Sequence, residues 1–291
     1  MWILLVLLSV LFSAFSVIIT KKILVKISPL LLFWIVPILA SPVYILAVFK
    51  NGFPEGDNVF WISIIGSVIF YSASYILSCN ALKLSQASEV YPLTSFRVLF
   101  TILIAMISPL REYPSLIGFT GIILIIFGVY FFKLEKDSKD FFKPFKKLRE
   151  KPSLMFILST LLLSITIIFD KIAILHTTPQ NSSYVVFMEN NFIILIFLIP
   201  VLIREKSILK TIKDNIFTLI LLGFLQGLSS IFAFMAIPKS EVGYISALQN
   251  FQSVIVIILS FIFLNERKNI LYKIGGSIIM SLGAILISLY G

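Results

Sequence analysis

A chain of 291 residues that is 59% hydrophobic and only 13% charged, with mean hydropathy +1.04, cannot clothe one core in a water-compatible surface. These values exclude a soluble globular domain and define a polytopic membrane protein. The net charge of +10 would suggest nucleic acid as a partner of a soluble chain, but here the basic residues stand in loops between apolar runs, where they set orientation, and no nucleic acid is expected.

Apolar runs of spanning length fall at roughly 2–20, 29–49, 59–80, 88–109, 114–132, 154–173, 183–203, 215–237, 241–263 and 269–290. The first ends in Lys21-Lys22, without a basic leader or a small-residue cleavage site, and reads as a spanning helix rather than a signal peptide. No run alternates with the period of a barrel strand, and backbone groups in lipid must be satisfied within their own segment, so each run is expected to be a helix. The expected fold is an all-α membrane protein of ten transmembrane helices in two inverted five-helix repeats. Residues 1–132 form the first, 133–153 a basic polar linker, and 154–291 the second. Inversion follows because five is odd: the second copy must enter the membrane the other way up.

The repeat is visible in the residues themselves. Ala81 to Gly128 recurs 155 residues later as Ala236 to Gly283 without a gap, with Ser85/Ser240, Leu93/Leu248, Phe96/Phe251, Ile102/Ile257, Gly121/Gly276 and Ile123/Ile278 identical. Each copy holds two apolar runs joined by a short charged turn, Arg111-Glu112-Tyr113-Pro114 in one and Asn265-Glu266-Arg267-Lys268 in the other. In a ten-helix arrangement nearly all loop lysines and arginines fall after the odd-numbered helices, and only Lys50, Arg111, Lys171 and Lys239 fall on the other side. The positive-inside rule then places both termini outside the cytoplasm.

These features resemble the drug/metabolite transporter superfamily, in its EamA-type ten-helix branch. The resemblance rests on Ala81-Leu82-Lys83 followed by Ser88 and Pro92, and on Glu266-Arg267 followed by Gly276 and Gly283; the first half departs from the pattern with Leu110-Arg111-Glu112. It implies a carrier in the cell membrane, a cavity lined by helices 1, 3, 4, 6, 8 and 9, and both termini in the cytoplasm, opposite to the charge count. Export is the direction it implies. The acidic residue of the first helix on which small multidrug antiporters depend is missing, since residues 2–20 contain none.

Arg97 lies mid-membrane in the fourth run, where a charge costs at least ~2.5–3.5 kcal/mol, so something must offset it. Its counterpart 155 residues on is Gln252, with Gln249 and Asn250 beside it. Arg97 is either an anion contact, for which a planar guanidinium suits well, or half of a structural pair with a buried glutamate. Glu189, inside the seventh run and followed by Asn190 and Asn191, is either that partner or a proton-coupling group, because burial disfavours its charged form. Asp170 and Lys171 end the sixth run, Lys171 being aligned with Lys22 at a separation of 149, and are read as gating groups or as interfacial charges whose stems snorkel.

Tyr71, Tyr75 and Gln226 lie deep enough to face a cavity, Tyr71 matching Gln226 at the same 155-residue separation. Glu89 and Pro92 open the fourth helix, whose first N–H groups either receive an anion or simply start the helix. Gly121/Gly128 and Gly276/Gly283 each stand two turns apart and make a packing stripe, against a helix of the same chain or of a second protomer, so monomer and homodimer both remain open.

One cysteine, Cys79, and one histidine, His176, leave no disulfide and no metal cluster, and no catalytic motif is present; no cofactor is expected. The expected function is secondary-active transport of a small anionic or zwitterionic metabolite, such as an amino-acid derivative, by alternating access, with a proton as one source of drive. The alternatives are a proton-coupled exporter of drugs or cations, a membrane-embedded enzyme and a non-transporting membrane subunit.

Overall fold

The computed structural model describes residues 2–51, 53–111, 116–132, 143–178 and 180–290. Glu112, Tyr113 and Pro114 of the first charged turn, and residues 133–142 of the polar linker, lie outside them.

The first three helices are α1 (Trp2–Ile23), α2 (Pro29–Asn51) and α3 (Asn58–Leu84). The fourth apolar run is broken into α4 (Ala87–Val90), a 3-10 turn (Tyr91–Thr94) and α5 (Ser95–Ile107). Pro92 causes the break, because it has no N–H to donate and its ring crowds the preceding turn. After α6 (Leu116–Phe132) and the short α7 (Lys143–Leu148) come α8 (Lys151–Leu175), α9 (Ser182–Arg204) and α10 (Ile208–Ala236). The eighth run, expected from residue 215, starts earlier, but the backbone of Asn215 leaves the helical region (φ −127°) where the expectation put the start. The ninth run is split like the fourth, into α11 (Val242–Gln249) and α12 (Phe251–Phe263), and α13 (Ile270–Tyr290) ends the chain.

With α4–α5 and α11–α12 each taken as one span, eight segments among the described residues are long and apolar enough to cross a membrane; α6 and α13 are apolar over the shorter stretches Ile123–Phe132 and Ile270–Leu286. Large apolar side chains stand exposed along outward faces, as with Ile62, Ile65 and Ile69 on α3 and Leu195, Ile199 and Leu202 on α9. At helical spacing such stripes suit lipid, not water. The only strands among the described residues are β1 (Glu55–Gly56) and β2 (Thr177–Thr178), an antiparallel pair joining the loop after α2 to the loop after α8.

The symmetry of the two halves is written in reciprocal contacts. On α6, a methyl group added to Gly128 would stand 2.5 Å from Met280 Cγ and 3.0 Å from the Gly276 carbonyl oxygen; on α13, one added to Gly283 would stand 2.6 Å from the Gly121 carbonyl oxygen and 3.0 Å from the Ile125 nitrogen. Gly128 and Gly283, Ile125 and Met280, and Gly121 and Gly276 are the repeat's own equivalents. Residues ascend on one helix as their partners descend on the other, so the helices are antiparallel. Equivalent, antiparallel helices in reciprocal contact require a twofold axis perpendicular to them, which is the inverted relation. The glycine stripes therefore meet within one chain.

At both breaks the axis passes between equivalents again: Ser95 Oγ donates to Asn250 Oδ1 at 2.9 Å across a separation of 155 residues. The first helices of the halves obey a slightly different offset. Ser229 Oγ donates to the Ser9 carbonyl (3.0 Å) as Ser74 Oγ does to that of Ser159 (2.7 Å). Likewise Lys21 Nζ donates to the Ser85 carbonyl (2.7 Å) as Lys171 Nζ does to that of Ser240 (3.0 Å). Both correspondences give 150 residues, so Lys171 is equivalent to Lys21, not to Lys22 at 149. In each half a lysine at the end of the first helix holds carbonyls at the C-terminus of the third, where the helix dipole favours a cation.

Candidate functional site

A cavity of about 280 Å³ lies at the centre of the molecule. Six spans were expected to line it, the first, third, fourth, sixth, eighth and ninth. The second and seventh contribute as well, through Phe33, Pro37 and Tyr44 of α2 and Val186, Glu189 and Asn190 of α9. Pro37 and Pro42 in α2 leave the carbonyls of Phe33 and Ile38 without their helical donors. The Pro37 carbonyl, itself one turn from Ser41, accepts from Ser41 Oγ (2.9 Å) and Asn190 Nδ2 (3.0 Å), which ties the two helices at cavity depth.

Arg97, Tyr71, Tyr75, Gln226, Gln249, Gln252, Asp170 and Glu189 all line this cavity. Asn250 does not: it is buried at the break between α11 and α12, where its side chain accepts from Ser95. Neither lysine reaches the cavity. Lys171 caps α10 through Ser240, and Lys22 lies over the Phe263 ring at 5.6 Å, turned a helical step away from the inner face that carries Lys21.

The neutral polar groups are largely engaged. Gln252 Nε2 donates to Ser13 Oγ (2.6 Å) and Tyr91 Oη (2.9 Å), and Gln226 Oε1 accepts from Ser16 Oγ (3.2 Å). Phe33 packs its ring 4.8 Å from that of Tyr75 and 5.8 Å from that of Tyr71, forming an aromatic wall. The charged groups are not paired in the way the sequence suggested. Arg97 makes no ion pair with Glu189 or any other described carboxylate, and its Nε has no hydrogen-bond partner within the protein. Glu189 instead lies against Asp170, whose Oδ1 accepts from Ser67 Oγ at 2.6 Å. The structural-pair reading of Arg97 is therefore corrected: α9 aims Glu189 at α8, while α5 directs Arg97 into the cavity.

Sequence reasoning missed Tyr44 and the hydroxyl stripe of Ser9, Ser13, Ser16 and Thr20. The stripe was detectable, since its spacing of four, three and four keeps one helix face. Tyr44 carried no such signal, as tyrosines in apolar runs are commonplace.

The start of α4 does not wait for an external anion. The Glu266 carboxylate accepts from the backbone N–H groups of Ala87 (3.0 Å) and Ser88 (2.8 Å), so the second half closes the first turn of the broken helix in the first half. Lys273 Nζ, buried beside it, donates to Ser88 Oγ (2.8 Å) and Gln86 Oε1 (3.2 Å) and stands 3.9 Å from Glu89. On the opposite face Asp57 caps α3, accepting from Phe60 N–H (2.8 Å) and pairing with His176 Nδ1 (2.8 Å). The Phe60 amide first, and then His176, hold the Asp57 carboxyl below its usual range.

A family model described as EamA-like transporter family matches residues 1–134 and again 151–289. A solved crystal structure superposes with a TM-score of 0.63 at 14% identity, covering 97% of this chain and 96% of the other, which shows the shared fold. No curated protein sequence matches the chain.

Proposed function

The chain belongs to the EamA-like transporter family, and from that premise we propose that it is a secondary-active carrier of a small anionic or zwitterionic metabolite, such as an amino-acid derivative. As a family member it is a multi-pass membrane transporter of the drug/metabolite superfamily, in contact with the bilayer. In our reading α6 and α13 complete ten spans. The repeats, 1–132 and 154–291, rock about the central cavity and open it to each side in turn.

The observation that carries the substrate class is the Arg97 guanidinium, set in the cavity with no protein carboxylate paired to it. Its fork of donors is not taken up by a protein carboxylate, and a substrate carboxylate matches it. Tyr71, Tyr75, Gln226, Gln249 and Gln252 surround the ligand with neutral hydrogen-bonding groups. Asp170 and Glu189 stand ready for a cationic end or a proton.

The test is a thermal-shift screen of the purified full-length protein in detergent against amino acids, organic acids, sugar phosphates and quaternary amines. A ligand at a hundredfold its Kd stabilises a protein that binds it only when folded by about 2.7 kcal/mol. Carboxylate-bearing compounds are expected to stabilise the native protein but not a folded Arg97→Ala variant, with partial recovery in Arg97→Lys. Stabilisation by quaternary amines alone, unaffected by Arg97→Ala, would refute this reading in favour of a cation exporter.

A further inference from the structure

Two acidic side chains, brought together from α8 and α9, adjoin each other with the single hydroxyl of Ser67 as the donor beside them. Asp170 is 5% exposed and Glu189 8%, both line the cavity, and each lies within hydrogen-bonding reach of the other. Ser67 Oγ supplies one hydrogen bond, to Asp170 Oδ1. Glu189 Oε1 is fully buried and receives none from the rest of the protein. Carboxylates accept only, so two of them in contact leave an acceptor orphaned unless one carries a proton. Two adjoining, buried negative charges also disfavour each other, so the pair favours a shared proton.

The groups that face the pair decide how many protons it holds. From α5 comes Arg97, the cation among the described residues that acts on Asp170; α3 contributes Ser67 and Tyr71, and α2 contributes Tyr44. With Arg97 positive and the pair sharing a single proton, the lining is electrically neutral. An anion bound at Arg97 would leave the cavity one charge negative, and a second proton on the pair would restore neutrality. A zwitterion brings its own cation and needs none.

We propose that Asp170 and Glu189 form a proton-binding site that holds one shared proton in the substrate-free protein and takes up a second with each substrate anion held by Arg97. The second uptake rests on the carrier reading given above; the first does not. Binding of a carboxylate then carries a proton into the same cavity, and co-transport with protons follows from charge balance. For an amino acid of matching skeleton the pH dependence disappears.

Infrared spectroscopy of the protonated-carboxyl band, on the purified protein near neutral pH, tests the site without any ligand. The native protein is expected to show the band. Glu189→Gln should abolish it, since Asp170 alone beside Arg97 stays ionised. Arg97→Gln, which removes the cation as a bound anion would, should raise it to about twice the native intensity. Absence of the band from the native protein, or its survival in Glu189→Gln, would overturn the shared proton; an unchanged band in Arg97→Gln would overturn the charge linkage.

Binding of propionate and of alanine is then compared across pH. Propionate affinity should rise about tenfold for each unit of acidification, and alanine affinity should stay flat. Propionate binding with no pH dependence sinks the second uptake. If neither compound nor any other carboxylate binds, the carrier reading fails while the infrared result still decides the shared proton.

Discussion

Replacing Glu266 tests whether the second half holds the broken helix of the first. Its side chain is 6% exposed, and the two N–H groups it receives belong to Ala87 and Ser88, both fully buried. Glu266→Ala removes two charge-assisted hydrogen bonds, each worth about 1.5–3 kcal/mol, and leaves two donors that water cannot reach. It also leaves Lys273, 4% exposed, with Glu89 as its remaining carboxylate neighbour at 3.9 Å. Neighbouring losses do not add fully, so the net cost is about 3–5 kcal/mol. Glu266→Gln keeps one acceptor but turns an NH2 group toward the second amide, and should cost about 1–3 kcal/mol. The assay is reversible unfolding in mixed detergent micelles, with Lys273→Met combined with each variant. The double variant Glu266→Ala/Lys273→Met should lose less than the sum of its parts, because no buried cation is then left short of one of its two carboxylate neighbours. Equal stability of Glu266→Ala and the native protein, or equal losses for the alanine and glutamine variants, would refute the capping role.

The twofold axis predicts matched effects at equivalent glycines. Gly128→Ala and Gly283→Ala each push a methyl group into backbone of the facing helix, so each should destabilise by about 1–3 kcal/mol, less what alanine returns as the better helix former. The same unfolding assay reads both, and a neutral result at either position contradicts the close approach of α6 and α13. Asp57 supplies the pH test. Its folded-state carboxyl is held below the ordinary range, so the stability it contributes is complete above about pH 4 and is lost as pH falls through the depressed value. Melting temperatures followed from neutral to acid pH should fall less steeply in Asp57→Asn than in the native protein. Parallel slopes would show that the Phe60 and His176 contacts do not hold the carboxylate.

The ten apolar runs and the repeat were legible because each depends on sums taken along the chain. Transfer of a run into lipid adds residue by residue, and Gly121, Gly128, Gly276 and Gly283 keep their spacing whatever they face. The expectation of an odd number of helices per half implied inversion, and the reciprocal contacts of α6 and α13 agree with it. Where a reading needed the rotation of one helix against another, it failed or stayed open. Lys21 and Lys22 differ by one residue and by about 100° around α1, and only the bond to the Ser85 carbonyl shows which is equivalent to Lys171.

The same limit governs the charged groups of the cavity. Arg97 and Glu189 announced themselves as charges within apolar runs, so their presence in a functional centre was readable from the cost of burial. Their partners were not. Glu189 meets Asp170 rather than Arg97, and Glu266 closes a helix nearly 180 residues before it, because partners in a bundle are selected by which faces the packed helices turn toward each other. The sequence by itself determined a membrane protein of inverted repeats with charge at its centre, since hydropathy and repetition are properties of order along the chain. The tertiary structure alone decided that the central cation makes no direct ion pair among the described residues and that the two acids adjoin, since that depends on the angle at which each helix meets its neighbours.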